Sequence, residues 1–173
     1  MIIIRPTLEN DWTSLKAIRL AALLDSPTAF GVTYESAAAY TDEQWRTRAS
    51  GTQTAFWLAF QGSEAIGMIG AAVSQAKRYN LIGMWLAPRA RGSGAAAQLV
   101  DAVKSRAIQQ GHDRVFLDVD PENTRAARFY QKQGFAFIDE WEPLASHPHI
   151  QVQTMVCSMP GGASDPQTTF QAR

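Results

Sequence analysis

Hydrophobic positions recur along this chain with two periods, and the changes of period mark its elements. Ile2-Ile3-Ile4-Arg5 reads as a short strand, and Trp12, Leu15, Ile18 and Ala22 then recur at three- and four-residue spacing, the stripe of a helix that Ser26-Pro27 ends. Residues 28–40 follow neither period cleanly. Thr41-Asp42-Glu43-Gln44 has the Thr-x-x-Gln form of a capping box and predicts a short helix through Trp45 and Arg48. The period then changes. Residues 54–60, a turn over 61–64, and residues 65–73 and 81–87 predict three strands of an antiparallel meander, stopped by Pro88.

Beyond Pro88, Ala96, Leu99, Val100, Val103 and Ala107 form the buried stripe of a long helix closed by Gly111. A strand over 114–119, a helix over 124–132 with Gly134 as its stop, and strands over 135–141 and 149–159 complete the pattern. No internal repeat or second-domain boundary interrupts residues 1–159, so one domain is expected. Residues 160–173 hold turn formers and little to bury and are expected to form a loose tail.

Between the meander and the long helix lies Arg89-Ala90-Arg91-Gly92-Ser93-Gly94, a placement that composition makes meaningful. Lys plus Arg and Asp plus Glu number 16 each, so no overall field draws the chain to nucleic acid or an anionic membrane, and any phosphate site must be local. A helix start gathers unpaired N–H groups and the positive end of the macrodipole, and glycines let a bulky anion approach them. Gly92 to Ala97 also satisfies the dinucleotide pattern Gly-x-Gly-x-x-Ala, with Asp118 at a strand end about twenty residues on. Against that reading, the loop follows an antiparallel meander and leaves too little chain for a doubly wound sheet. A triphosphate loop would need a lysine after Gly94, and none is there. The plain alternative is a tight turn with solvated arginines.

Other features narrow the class. The apolar start breaks at Arg5-Pro6, and nothing later approaches the roughly 20 apolar residues of a membrane span, so a cytoplasmic protein is expected. Cys157 is the only cysteine, which allows no internal disulfide and no thiolate cluster for zinc, and His147 and His149 are too few for a metal site. His112, just past the helix stop, is expected at the surface.

The loop and the fifty residues after it resemble the GNAT superfamily of acyl-CoA-dependent N-acetyltransferases. Arg89 to Gly94 resembles that family's Arg/Gln-x-x-Gly-x-Gly/Ala motif, and Leu86-Ala87-Pro88 its preceding strand end. Asn123, Ala126, Tyr130, Gly134 and Phe135 resemble its second signature, Asn-x-x-Ala-x-x-x-Tyr-x-x-x-Gly-Phe. The resemblance implies an α/β fold with a mixed, mostly antiparallel sheet, flanked by helices and splayed between its fourth and fifth strands, with acetyl-CoA as co-substrate wedged in the opening and no metal. It implies that Arg89, Arg91, Gly92, Ser93, Gly94, Ala95 and Ala96 hold the pyrophosphate, that Met84, Trp85 and Leu86 pair with the pantetheine arm, and that Asn123 and Tyr130, two turns apart on one helix face, reach the same cleft.

The same resemblance makes Tyr130 the general acid for the departing thiolate, against the alternatives of a core aromatic for Tyr130 and a plain helix cap for Asn123. Many members carry a glutamate on the fourth strand, but residues 81–87 offer no acid, so the base falls to Glu35 or Asp118, or to a water relay. Cys157 reads as packing. By family likeness Phe30, Tyr34, Tyr40, Trp45 and Trp141 lie on the acceptor side, or else in the core. The acceptor is a small-molecule or peptide amine, a homodimer stays open, and the competing function is a non-catalytic acyl-CoA-binding module.

Overall fold

The computed structural model describes residues 1–160, so the tail expected from residue 160 lies, from residue 161 on, outside the described residues. The chain runs β1 (Ile2–Pro6), α1 (Trp12–Asp25), α2 (Tyr34–Ala38), α3 (Asp42–Ala49), β2 (Ala55–Gln61), β3 (Glu64–Val73), β4 (Tyr79–Leu86), α4 (Ala95–Gln109), β5 (Arg114–Val119), α5 (Thr124–Lys132), β6 (Ala136–Leu144) and β7 (His147–Ser158). One seven-stranded sheet forms in the order β1-β2-β3-β4-β5-β7-β6, and β4 with β5 is its one parallel pair among the described residues.

Local chemistry explains the helix starts. Thr41 and Gln44 cap α3 reciprocally, with the Gln44 amide donating to Thr41 Oγ1 at 3.1 Å and the Thr41 amide to Gln44 Oε1 at 2.9 Å. The ambiguous stretch 28–40 holds α2, opened by Thr33, whose hydroxyl accepts from the Ser36 amide at 3.2 Å. Two expectations shift slightly. The buried stripe of α4 begins at Ala95, with Ala96 only half-buried, and His112 is half-buried with its ring 4.9 Å from that of Tyr79.

Each sheet face carries its own core. Helices α1 to α3 cover one face through Leu15, Leu23 and Trp45 on Phe56, Leu58 and Met68. Leu99, Val100 and Val103 of α4 meet Ile66, Ile69, Val115 and Leu117 on the other, where Phe129 and Tyr130 of α5 pack against the same cluster.

The β4–β5 ladder stops after two pairs, Tyr79 with Val115 and Asn80 with Phe116. The reason sits in β4. Its register against β3 steps from Gly70–Ile82 to Met68–Trp85, so Gly83 and Met84 together oppose Ile69. This bulge bends the strand, and Gly83 takes the left-handed φ of 59° that one bulge position requires. Residues 81–86 thereby turn away from residues 117–119.

Candidate active site

The loop ahead of α4 is spent partly on itself. Arg91 and Ser93 donate their amides to Pro88 and Ala90 carbonyls at 3.3 and 3.2 Å, and the Ala95 amide donates to Ser93 Oγ at 3.3 Å. The amides of Gly92, Gly94 and Ala96 hold no hydrogen bond among the described residues. Gly94, at φ 86°, is the N-cap of α4, and nothing lies within 4 Å of where a Cβ on Gly92 or Gly94 would stand. Three free donors, open space and the helix dipole suit a diphosphate.

Both loop arginines have protein partners. Arg91 donates from Nε to the Leu86 carbonyl at 3.3 Å and from Nη2 to Asp25 at 3.1 Å. Asp25 also accepts from the Trp85 indole at 3.0 Å and from Ser26 at 2.9 Å, and these bonds, the indole's first, hold its carboxyl below the usual range. One carboxylate thus joins the end of α1, the end of β4 and the loop. Arg89 meets exposed Glu64 at 2.7 Å.

On the α4–α5 face, Met84, Trp85, Ala96 and Tyr130 are half-buried against one core to which Leu86 belongs. Tyr130 stands edge-on to Phe129 and Phe135 at 5.2 and 5.8 Å, forms no hydrogen bond through its hydroxyl among the described residues, and has its pKa pushed up by burial. Asn123 caps α5, its Oδ1 accepting from the Ala126 amide at 3.3 Å, and stays exposed.

The opposite face holds a cleft of about 430 Å³ bordered by Asn80 and Ile82 of β4, Asp118, Thr154, Trp141 and Glu142. Asp118 and Thr154 are cross-strand partners, and the Thr154 hydroxyl donates to Asp118 at 2.7 Å. Glu142 hydrogen-bonds Asp118, and this contact, with the repulsion behind it, raises its pKa above the usual carboxylate range. Arg78 closes the rim, donating to both oxygens of Glu140 at 2.6 and 2.9 Å.

The two base candidates therefore separate: Asp118 borders the cleft, whereas Glu35 stands exposed in the first turn of α2 and does not line it. Trp141 is half exposed at the cleft, with its indole donating to Asp139 at 3.1 Å. Phe30 and Trp45 are buried in the α1–α3 core, which Tyr34 and Tyr40 flank. The Ser146 hydroxyl donates to the Phe30 carbonyl at 2.5 Å and so fastens the β6–β7 turn over the α1–α2 segment. Cys157 is buried, and no group of three or more metal-ligating side chains occurs among the described residues. No helix among them is long and apolar enough to cross a membrane.

Sequence reasoning missed Glu142, Thr154 and Asp25. The two-residue spacing of Glu140 and Glu142 carries a signal for the first, but the sequence pattern ends that strand at Trp141 whereas β6 runs on to Leu144.

A family model described as the Acetyltransferase (GNAT) family matches residues 19–135. Proteins named uncharacterized N-acetyltransferase from Mycobacterium bovis and Mycobacterium tuberculosis are 46% identical over 52 residues, 30% of this chain and 33% of theirs, so the chain spans about a third of the length of the curated relatives it matches. Among solved structures, a GNAT-family acetyltransferase from Streptococcus pneumoniae superposes with a TM-score of 0.79 at 20% identity, over 92% of this chain and 99% of that one. The PaiA N-acetyltransferase from Thermoplasma acidophilum in complex with coenzyme A gives 0.71 at 20% identity, over 91% and 99%. Arabidopsis thaliana NAA60 in complex with a bisubstrate analogue gives 0.70 at 18% identity, over 93% and 99%.

Proposed function

Because the chain belongs to the acetyltransferase (GNAT) family, we propose that it moves the acetyl group of acetyl-CoA directly to an amine, both substrates meeting in the opening between β4 and β5. One observation carries this reading: the two mouths of the opening are chemically different. The free amides of Gly92, Gly94 and Ala96, with Tyr130, lie toward the α4–α5 side, while the Asp118–Glu142 pair borders the cleft on the other. Acetyl-CoA reaches the opening from the first side and the amine from the second.

Each group then has one task. The loop amides bind diphosphate, and the unpaired edge of residues 84–86 binds the amide-bearing arm as an added strand would. Asp118 takes the proton that the amine must shed as its nitrogen attacks the thioester carbonyl, a role its position supports over Glu35. Backbone N–H groups of the splayed strand face the oxygen that gains charge. Tyr130 gives its proton to the departing sulfur; its raised pKa keeps that proton in place at neutral pH. The acid that β4 lacks is thus supplied by its neighbours, which argues against a binding module without chemistry.

The test is acetyl-CoA-dependent thiol release over a panel of amines, with intact-protein mass spectrometry of enzyme given acetyl-CoA alone. Amine-dependent release without an acetylated protein is the expected result. Tight CoA binding without turnover on any amine would sink the enzyme reading, and a stoichiometric acetyl adduct on Cys157 would sink direct transfer.

A further inference from the structure

Arg19 projects from α1 against the β4 bulge, with its guanidinium carbon 5.1 Å from the centroid of the Phe30 ring. Its Nη1 would lie 3.0 Å from a Cβ on Gly83, so the missing side chain there is what admits it. That nitrogen is closed to solvent and has no hydrogen-bond partner, and no carboxylate lies within ion-pair distance of the side chain among the described residues. Burial, and after it the nearby charge of Arg48, depress its pKa. The side chain as a whole is half-buried, and a partly desolvated cation without a partner gains from a counter-ion that reaches the rest of its guanidinium.

The location says what kind of counter-ion. Arg19 and Ile82 lie on the same sheet face, since Arg19 packs on Phe30 of the α1–α3 core while Ile82 and Phe56 of that core both crowd the position of a Cβ on Gly70. Ile82 also borders the cleft that holds Asp118. Phe30, which stacks on the guanidinium, is the residue that Ser146 fastens from above. Arg19 therefore stands on the acceptor side of the opening, with Ile82 and Gly83 between it and the carboxylate pair. Resting on the acetyl-transfer reading, we infer that the acceptor is an amino carboxylate whose carboxylate pairs with Arg19 while its amine faces Asp118. A planar guanidinium matches a carboxylate in shape and charge, one positive against one negative, among apolar walls made by Phe30, Met68 and Ile82.

The experiment compares the amino acids, β-alanine and γ-aminobutyrate with their amides, their decarboxylated amines and the matching aminophosphonates, in the parent chain and in Arg19→Met and Arg19→Lys. The carboxylates should exceed the amides in kcat/KM by roughly 10- to 100-fold, mainly through KM, and the preference should vanish in Arg19→Met and return in part in Arg19→Lys. Equal use of carboxylates and amides by the parent, or a preference for phosphonates, overturns the inference. If no amine turns over, the transferase reading fails by itself. Calorimetry of N-acetyl amino acids against N-acetyl amino amides on the CoA-loaded protein then decides about Arg19 alone, because lack of a carboxylate preference there overturns it too. Arg19→Met without ligand should melt at or above the parent temperature; a drop of several degrees would mean that the guanidinium holds the fold together, and would overturn it as well.

Discussion

Replacing Tyr130 by Phe separates chemistry from packing better than any other single change in this chain. The hydroxyl forms no hydrogen bond among the described residues, and the ring keeps its edge contacts with Phe129 and Phe135. Tyr130→Phe should therefore change stability by no more than about 0.5 kcal/mol, a shift in Tm of roughly 1–2 °C for a chain of this size. Loss of a general acid costs about 10²–10⁴ in rate, or roughly 2.7–5.5 kcal/mol of barrier. The two magnitudes differ enough to be told apart. Single-turnover thiol release at saturating acetyl-CoA and amine measures the chemical step without product release, and the KM for acetyl-CoA should stay near the parent value. Because burial raises the phenol above its ordinary 10.0, Tyr130 stays protonated through that pH, and any decline of rate at pH 8–9 must persist in Tyr130→Phe. A variant that melts with the parent and turns over at the parent rate would refute the acid role; one that unfolds would show that the hydroxyl is structural.

Four further substitutions test the site. Gly94→Asp puts a negative charge at the N-cap of α4 into open space, so CoA affinity measured by calorimetry should fall at least about tenfold, while the strained φ costs only about 1 kcal/mol of stability. Arg89→Ala, which loses only exposed Glu64, should leave Tm unchanged and weaken acetyl-CoA more than a truncated pantetheine thioester, with the difference shrinking as salt rises; Arg91→Ala should lower Tm more than Arg89→Ala, because it frees the Leu86 carbonyl and Asp25. Glu142→Gln keeps a donor for Asp118 and removes the like charge, so it should gain roughly 0.2–1 kcal/mol at pH 7–8. The raised pKa of Glu142 means that the parent loses stability as pH rises through it, so the gain should vanish on acidification, and a gain that grows at pH 4 would contradict the contact.

The central strands were legible as short apolar runs between turn formers, β2 and β3 being buried almost continuously, and the two long helices because their buried residues recur every three to four positions. The bulge was not. Gly67, Gly70 and Gly83 look alike in sequence, yet a Cβ on Gly67 would stand 2.7 Å from Leu86, a packing demand, whereas only Gly83 of the three takes a positive φ. The glycine loop could be read from local order alone. The Asp118–Thr154–Glu142 cluster could not, because its members sit on three strands and meet only through the registers of β5, β7 and β6. Arg19 reads in sequence as the polar side of a helix, and its isolation becomes visible only when Phe30 and Gly83 close around it.

Where β4 leaves β5, the sheet acquires two inner borders in addition to β1 and β6 at its outer limits. Inner borders carry the hazard of any sheet margin, since unpaired amides and carbonyls invite an extended chain to lie alongside. Their shortness limits the danger, for β5 offers only residues 117–119 beyond the last pair. The same groups that would accept a stray strand are the ones that the proposed function gives to an amide-bearing ligand arm. On the proposed function, ligand-free protein is the form most exposed to self-association, and saturating acetyl-CoA should lower that association by occupying the gap in the sheet.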